Sequence, residues 1–298
     1  MSGHRIAITG ASGLIGGALS AFLSARGDEV LHLVRRETRT AAEITWDPIH
    51  RTLDPASLEG IDAVVHLAGA GVADKRWTPA YKQLILSSRA DGTATVAKAV
   101  ASHGSSIRLV SGSAVGFYGT DRGDEVLTEE SRGGEGFLAD VVRAWEAATQ
   151  VASAAGASVA MSRTGLVMAQ GAGAFGPLVT LGRLGLAGPL GSGRQYWPWI
   201  SLDDTVRALV HLVDHRDITG PVNVVGPEAL PQREVVHEIG SQLGRPTLLP
   251  APAFALRAVL GEFSSEVLGS QRVRAAVLAE TGFTYRHGTL SEAVATIV

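Results

Sequence analysis

Cysteine and lysine are the residues that this 298-residue chain lacks or nearly lacks. It contains no cysteine and only three lysines, Lys75, Lys82 and Lys98. The absence of cysteine excludes disulfides, thiolate nucleophiles and cysteine-held zinc or iron–sulfur centres. Because no lysine follows position 98, the last 200 residues cannot supply a Schiff-base, phosphate-binding or proton-relay lysine.

Charge and hydropathy exclude further classes of protein. The 26 basic and 29 acidic residues give a net charge of −3, and no Lys/Arg block occurs, so we expect no nucleic-acid partner. No apolar run approaches the ~20 residues of a membrane span, so we expect no membrane partner. The first residues lack the pattern of a signal peptide. Together with the absence of cysteine, this favours a cytoplasmic location.

The first 165 residues alternate between short β-branched runs and helical periodicity. Alternation of this kind predicts βαβ units and a doubly wound parallel sheet, the α/β Rossmann class. The predicted strands are Arg5–Thr9, Glu29–Val34, Ala63–Leu67, Ile107–Ser111 and Ser158–Arg163. The predicted helices are Leu14–Ala25, Pro79–Ser102 and Leu138–Ala154.

The pattern changes after Gly165. Residues 171–193 are rich in glycine, a helix is predicted from Asp203 to about His215, and Pro221–Val225 is predicted to return to the sheet. We therefore predict a dinucleotide-binding domain over residues 1–225, with residues 171–200 contributing to a substrate cleft. Residues 246–298 form a smaller, mostly helical C-terminal domain in this interpretation.

A glycine loop joins the first predicted strand to the first helix. It reads Gly10-Ala11-Ser12-Gly13-Leu14-Ile15-Gly16 and predicts a dinucleotide pyrophosphate at the N-terminus of the helix. Gly10 permits the tight turn, Gly13 lets the backbone approach the pyrophosphate, and Gly16 lets helix and strand pack closely.

The end of the second predicted strand indicates which dinucleotide is bound. An acidic residue there would bind a ribose 2′-hydroxyl, whereas arginine suits a 2′-phosphate. The chain has Arg35 and Arg36, and no acid before Glu37. Paired guanidiniums bind phosphate in a bidentate manner, so the pattern favours NADP(H) over NAD(H).

Several motifs occur in the order seen in extended short-chain dehydrogenases/reductases. They are the glycine loop, residues 66–69 (HLAG), 111–119 (SGSAVGFYG), 144–147 (AWEA), 163–165 (RTG) and 197–204 (WPWISLDD). The chain most resembles the atypical, NAD-dependent epimerase/dehydratase-like branch labelled nucleoside-diphosphate-sugar epimerase, including its small C-terminal domain.

The resemblance implies further cofactor-binding residues. Leu67, Ala68 and Gly69 would line the adenosine-ribose and pyrophosphate side, and Val167 would lie near the nicotinamide. Arg89 occupies a position where many relatives have an asparagine near the cofactor; a helix-surface arginine is the alternative.

The wider superfamily pairs a tyrosine with a lysine four residues later, where the ammonium lowers the phenol pKa for proton transfer. The corresponding positions here are Leu138 and Val142, which cannot move a proton. Two candidates remain for catalysis. Ser113 matches the superfamily's substrate-binding serine and either bonds a carbonyl or closes its strand, and Tyr118 has Arg122 four residues on.

Two further groups of residues give weaker indications of function. His211 and His215 have a metal-compatible spacing but no third ligand in the sequence, so no metal site is predicted. Trp197 and Trp199 either wall a substrate cleft or pack in the core. Two functions stay open: an NADP(H)-dependent oxidoreductase acting on a small carbonyl or sugar-like substrate, and a non-catalytic NADP(H)-binding sensor or scaffold.

Overall fold

A parallel seven-stranded sheet forms the centre of the computed structural model, which describes residues 3–298. The strands within those residues are β1 (Arg5–Thr9), β2 (Glu29–Val34), β3 (Glu43–Thr45), β4 (Ala63–His66), β5 (Arg108–Ala114), β6 (Val126–Leu127), β7 (Val159–Thr164), β8 (Leu166–Met168), β9 (Tyr196–Trp197), β10 (Trp199–Ser201), β11 (Gly220–Val224), β12 (Leu230–Pro231) and β13 (Arg272–Val273). The order in the large sheet is β11-β7-β5-β4-β1-β2-β3.

Helices cover both faces of this sheet. They are α1 (Leu14–Arg26), α2 (Pro79–Ala101), α3 (Phe137–Ala147), α4 (Gln150–Ala154), α5 (Phe175–Arg183), α6 (Leu202–Asp214), α7 (Gln232–Gln242), α8 (Ala253–Leu260), α9 (Ser264–Leu268), α10 (Ala276–Glu280) and α11 (Leu290–Val294). The predicted doubly wound α/β fold is confirmed.

The alternation of side chains along each strand divides the core into two layers. Ile6 and Ile8 of β1 pack in one buried cluster with residues of α1 and α6. Ala7, between them, points to the other face, where it packs with residues of α2 and α4. This is the period of two expected of a strand that is buried on both sides.

The structure differs from the predicted elements in two places. The strand β3, a three-residue edge strand paired to β2 from His32↔Glu43 to Val34↔Thr45, was not predicted. The helix predicted over Leu138–Ala154 is two helices, α3 and α4, which are separated at Ala148 and Thr149. The Thr149 hydroxyl donates to the Glu146 carbonyl at the end of α3, so a side-chain bond replaces helix continuation there.

The C-terminal segment is tied to the sheet through Asp204. This fully buried carboxylate accepts the backbone N–H groups of Arg286 at 2.6 Å and His287 at 3.0 Å, and the hydroxyl of Ser201 at 2.9 Å. Ser201 also caps α6 through the Asp204 N–H. Because the carboxylate is buried and accepts both N–H groups, it fixes the backbone at Arg286 and His287 against the start of α6. No helix between residues 3 and 298 is long and apolar enough to cross a membrane.

Candidate active site

The loop between β1 and α1 can be built only with glycine at two of its positions. Gly10 has φ +70°, and a Cβ there would lie 3.0 Å from the backbone nitrogen of Ala68. A Cβ at Gly16 would lie 2.2 Å from the Gly10 carbonyl oxygen, which is a clash with backbone. The first turn of α1 therefore packs directly against the end of β1, as the sequence predicted.

The N-terminus of α1 offers unpaired donors. Its N-cap is Gly13, no side chain caps it, and its first turn holds no acidic residue. No carbonyl within residues 3–298 accepts the N–H groups of Leu14, Ile15 or Gly16. Ser12, Gly13 and Leu14 are exposed, while Ala11 and Ile15 are half-buried against the core. Such a cradle fits a pyrophosphate, because free N–H groups and the helix dipole both favour an anion.

The ends of β1 and β4 form the second wall of this cradle. The Thr9 hydroxyl accepts the N–H groups of Leu67 at 3.0 Å and Ala68 at 3.2 Å, and it contacts His66 Nδ1 at 2.8 Å. A hydroxyl has one proton, so with two N–H groups donating to it Thr9 donates to His66. Leu67 and Ala68 are thus fixed beside Gly10, where the family resemblance expects them.

His66 is a buried, neutral histidine. Burial lowers its pKa to about 4. Since Nδ1 accepts from Thr9, the ring proton lies on Nε2, and no partner for Nε2 occurs in the described part of the chain. The ring packs edge-on against Trp46, with centroids 5.8 Å apart. His66 is a core residue that orients Thr9.

The two arginines after β2 have different surroundings. Arg35 is exposed, and no residue from 3 to 298 bonds its side chain. Arg36 donates from Nη2 to Glu43 Oε1 at 2.6 Å and from Nη1 to Glu43 Oε2 at 2.9 Å. This bond to Arg36, together with the Arg39 N–H, lowers the pKa of Glu43 to about 2. An acidic partner from β3 was not predicted, because β3 itself was not.

Arg89 lies on the inner side of α2 rather than on its surface. Its Nη1 donates to the Ala70 carbonyl at 2.7 Å, and its guanidinium lies 5.1 Å from the Trp145 ring centroid. Burial lowers the pKa of Arg89 to about 10. A Cβ at Gly69 would lie 3.3 Å from Arg89 Cζ, so glycine there leaves room for the guanidinium. These contacts place Arg89 beside the predicted cofactor-lining segment.

Ser113 lies near the carboxyl end of β5, opposite Arg163 of β7. Its hydroxyl donates to Glu146 Oε1 at 2.6 Å, and Glu146 in turn accepts Arg163 Nε and Nη2, each at 2.8 Å. The side chains of Arg163 and Glu146 are only 4% and 12% exposed. Glu146 and Arg163 are the residues that sequence reasoning missed. Both lie within the quoted motifs, but nothing in the sequence places them in contact.

Tyr118 does not reach the cleft. It is fully buried, its hydroxyl donates to Asn223 Oδ1 at 2.7 Å, and Arg163 Nη1 lies 3.2 Å from that hydroxyl. Burial raises the pKa of its phenol. Arg122, the predicted partner, instead bonds the Tyr118 main-chain carbonyl. The structure therefore gives Tyr118 a packing role, and it is not carried forward as a catalytic candidate.

The positions of the missing Tyr/Lys pair are filled with apolar contacts. A Cβ added at Gly116 would lie 3.4 Å from Leu138 Cβ and 3.8 Å from Val142 Cγ2, so these side chains pack against the turn that follows β5. Trp197 and Trp199 are both buried, which decides for core packing. Val167 is half-buried in β8, three residues beyond the end of β7.

These features define a dinucleotide-binding protein of the Rossmann class, with its crevice at the carboxyl ends of β1 and β4, where the strand order reverses. The chain belongs to the NAD dependent epimerase/dehydratase family, whose sequence profile matches residues 6–226. Residues 251–297 match a second profile, the domain of unknown function DUF1731. The resemblance stated from the motifs, including the small C-terminal domain, is confirmed.

Relatives match along almost the whole chain. An epimerase family protein of Mycobacterium leprae is 41% identical over 290 residues, 97% of this chain and 94% of that protein. The crystal structure of the human epimerase family protein SDR39U1 with NADPH has a TM-score of 0.89 and 32% identity, and covers 98% of both chains.

A bacterial structure with a named activity class is also similar. The nucleoside-diphosphate sugar epimerase from Corynebacterium glutamicum has a TM-score of 0.82 and 35% identity, over 99% of this chain and 58% of that one. The prediction of a nicotinamide dinucleotide as cofactor is in agreement with the family and with the NADPH-bound human relative.

Proposed function

We propose that this protein is an NADP(H)-dependent oxidoreductase acting on a small carbonyl or sugar-like substrate. One observation carries the proposal: the cradle of free N–H groups at α1 and the Ser113–Glu146–Arg163 cluster lie along the carboxyl edge of one sheet. Dinucleotide and substrate sites of doubly wound sheets meet at that edge. The NADPH in the human relative and the sugar-nucleotide class of the corynebacterial one support the same conclusion.

The proposal assigns the cofactor to the residues expected from the sequence. The α1 cradle would bind the pyrophosphate, Arg35 and Arg36 would bind the 2′-phosphate, and Leu67 to Gly69 would line the adenosine-ribose and pyrophosphate side. Arg89 would lie near the cofactor, and Val167 would lie near the nicotinamide. The cofactor, when bound, supplies or accepts hydride. We further propose that residues 1–225 carry this site and that residues 246–298 complete the substrate cleft.

Ser113 would act as a hydrogen-bonding group for the substrate. Its proton is directed to Glu146, so the lone pairs of its oxygen remain available to a substrate hydroxyl. Arg163 compensates the charge of Glu146 and holds both carboxylate oxygens, so Glu146 orients the serine. To donate to a substrate carbonyl instead, the Ser113 hydroxyl would have to rotate away from Glu146.

A non-catalytic NADP(H)-binding sensor or scaffold is the second candidate. The packing of Leu138 and Val142 against the Gly116 turn favours it, because this packing leaves no phenol and no ammonium in the usual proton-transfer positions. The two proposals share the cofactor and differ only in whether chemistry takes place.

The deciding experiment measures binding and turnover separately. NADPH and NADH are titrated first, and NADPH oxidation is then followed with a panel of aldehydes, ketones and oxidised nucleotide sugars, in the unmodified protein and in Ser113→Ala. We expect NADPH to bind more tightly, and the Ser113→Ala variant to lose about tenfold in turnover while keeping its NADPH affinity, because one hydrogen bond to the substrate is lost. Tight binding without turnover on the whole panel would establish the sensor; tighter binding of NADH would refute the NADP(H) assignment.

A further inference from the structure

The guanidinium of Arg36 has five N–H donors, and three of them are already engaged. Glu43 accepts one from Nη2 and one from Nη1, and the Glu37 carbonyl accepts from Nη1 at 2.8 Å. No acceptor for the Nε–H or for the second Nη2–H is found among residues 3–298. These two donors lie on the same edge of the planar group and form a parallel fork.

That free fork faces an accessible region. The Arg36 side chain is 41% exposed, whereas Glu43 is 12% exposed and lies behind it on the edge strand β3. A parallel pair of N–H groups matches two oxygens of a phosphate. The exposed Arg35 precedes Arg36 directly and adds a second positive charge.

We propose that Glu43 is a positioning residue for the 2′-phosphate of NADP(H): it fixes the plane of Arg36 so that the Nε/Nη2 fork is presented before the ligand arrives. This inference rests on the proposed cofactor and names a residue outside the glycine loop and the β2 end. Glu43 is itself fixed in place. Its carboxylate accepts the Arg39 N–H at 2.6 Å, and its backbone in β3 pairs with His32 of β2.

Glu43 has two opposite effects on phosphate binding, charge repulsion and positioning of Arg36. The direction in which NADPH affinity changes when Glu43 is replaced shows which one dominates. A negative charge behind Arg36 repels the phosphate, so removing it would tighten NADPH binding if repulsion dominated. Fixing a flexible side chain lowers the entropy lost on binding, so removing the anchor would weaken NADPH binding if positioning dominated. Since Glu43 bonds the Nη1/Nη2 edge of Arg36 and leaves the adjacent Nε/Nη2 edge free for a phosphate, we expect positioning to dominate.

The test compares NADPH with NADH, and 2′,5′-ADP with 5′-AMP, by calorimetric titration of the full chain. Arg36→Ala should raise the Kd for NADPH about tenfold or more, since a bidentate charge-assisted contact is lost. Glu43→Gln should raise it about threefold to tenfold and change the Kd for NADH less than about twofold. In the Arg36→Ala background, Glu43→Gln should leave the NADPH affinity unchanged or improve it, because only the repulsion remains.

The matched control is Glu29→Gln. Glu29 also accepts two bonds from an arginine, from Arg5 Nε at 2.8 Å and from Arg5 Nη2 at 3.2 Å, at the opposite end of β1 and β2. This variant changes the net charge equally and should not alter either Kd. The proposal is overturned if Glu43→Gln tightens NADPH, leaves it unchanged, or weakens NADH equally. A chain that binds NADPH but shows no turnover would refute the oxidoreductase and leave this inference standing, whereas an unmodified chain that fails to bind NADPH would refute both.

Discussion

The crevice has two regions that we propose bind the cofactor and the substrate, called here the cofactor half and the catalytic half, and they are built in opposite ways. At α1 the donors are backbone N–H groups that have no partner among residues 3–298, and neither does the exposed Arg35 side chain. At β5 and β7 the polar groups are side chains that already satisfy one another, with Glu146 bonded to both Ser113 and Arg163. The cofactor half therefore has hydrogen-bond donors available to a ligand, whereas most polar groups of the catalytic half are bonded to one another.

This difference shows which half can tolerate the loss of a lysine. Backbone amides and arginines bind phosphates without any lysine, so the proposed cofactor half does not need one. Proton transfer by the usual pair needs an ammonium beside a phenol, and the helix that should carry it presents Leu138 and Val142. The buried Glu146–Arg163 pair lies in the region instead, and breaking it should cost stability because an unpaired buried charge would remain.

The largest expected effect comes from breaking that buried pair. Arg163→Met would leave the Glu146 carboxylate without its counter-ion, and we expect a loss of about 3–5 kcal/mol in the free energy of unfolding. Arg286→Met is the matched control, because its partner Asp203 is exposed and lies 3.2 Å away; it should lose less than about 1 kcal/mol. The measurement is the free energy of unfolding of both variants and of the unmodified chain by denaturant titration. Equal losses would show that the pair contributes no more than a surface contact.

The second effect is a pH dependence that arises from His66. Its pKa falls from an ordinary value near 6.5 to about 4 on folding, so between these values the unfolded state binds more protons. Stability contributed by neutral His66 is therefore complete above pH 6.5 and is lost as the pH falls toward 4, by roughly 3 kcal/mol at most.

The measurement for His66 is the unfolding free energy at pH 7.5, 5.5 and 4.5. In His66→Asn, the amide oxygen can still accept from Thr9, but no group titrates there, so the slope between pH 6.5 and 4 should become shallower. A slope identical to that of the unmodified chain would show that His66 is not the titrating group.

The third effect compares neighbouring glycines at the cradle. A Cβ at Gly16 would clash with the Gly10 carbonyl at 2.2 Å, whereas one at Gly17 would lie 3.5 Å from the Ala11 carbonyl, an ordinary contact. Gly16→Ala should destabilise the fold by about 1–3 kcal/mol and abolish NADPH binding. Gly17→Ala should stabilise it by about 0.5–1 kcal/mol through helix propensity. Thermal melts with and without NADPH test both, and similar behaviour of the two variants would contradict the close approach of α1 to β1.

The two halves also differ in how far they could be predicted from the sequence. Gly10, Gly13 and Gly16 lie within seven residues, and a Cβ at Gly13 or Gly16 would meet the Gly10 carbonyl of the same loop, so this part of the cradle followed from the motif alone. The approach of Ala68 to Gly10 joins distant residues and has no local signature. The family resemblance supplied the positions of Leu67, Ala68 and Arg89. The parallel sheet followed from the alternation of buried strands and amphipathic helices, apart from β3, which is too short to carry a pattern.

The catalytic half could not be predicted because its contacts join distant residues. Ser113 meets Glu146 across 33 residues, and Tyr118 meets Asn223 across 105. The burial of Tyr118 and the inward orientation of Arg163 depend on packing between β5, β7 and β11. This packing has no local sequence signature. Likewise, the pairing of Arg36 with Glu43 depends on a strand register that the sequence does not display.

The smallest effect separates a packed tyrosine from a reactive one. Tyr118→Phe removes the donor to buried Asn223 Oδ1, so we expect a loss of about 1–2 kcal/mol in stability and no change in NADPH affinity or turnover. Tyr196→Phe is the control, because its hydroxyl has no partner within residues 3–298, and it should change stability by less than about 0.5 kcal/mol. A phenol whose proton is directed to Asn223 cannot also donate that proton to a substrate, which is why Tyr118 is assigned a packing role. Unaltered stability together with lost turnover in Tyr118→Phe would show instead that the phenol is reactive.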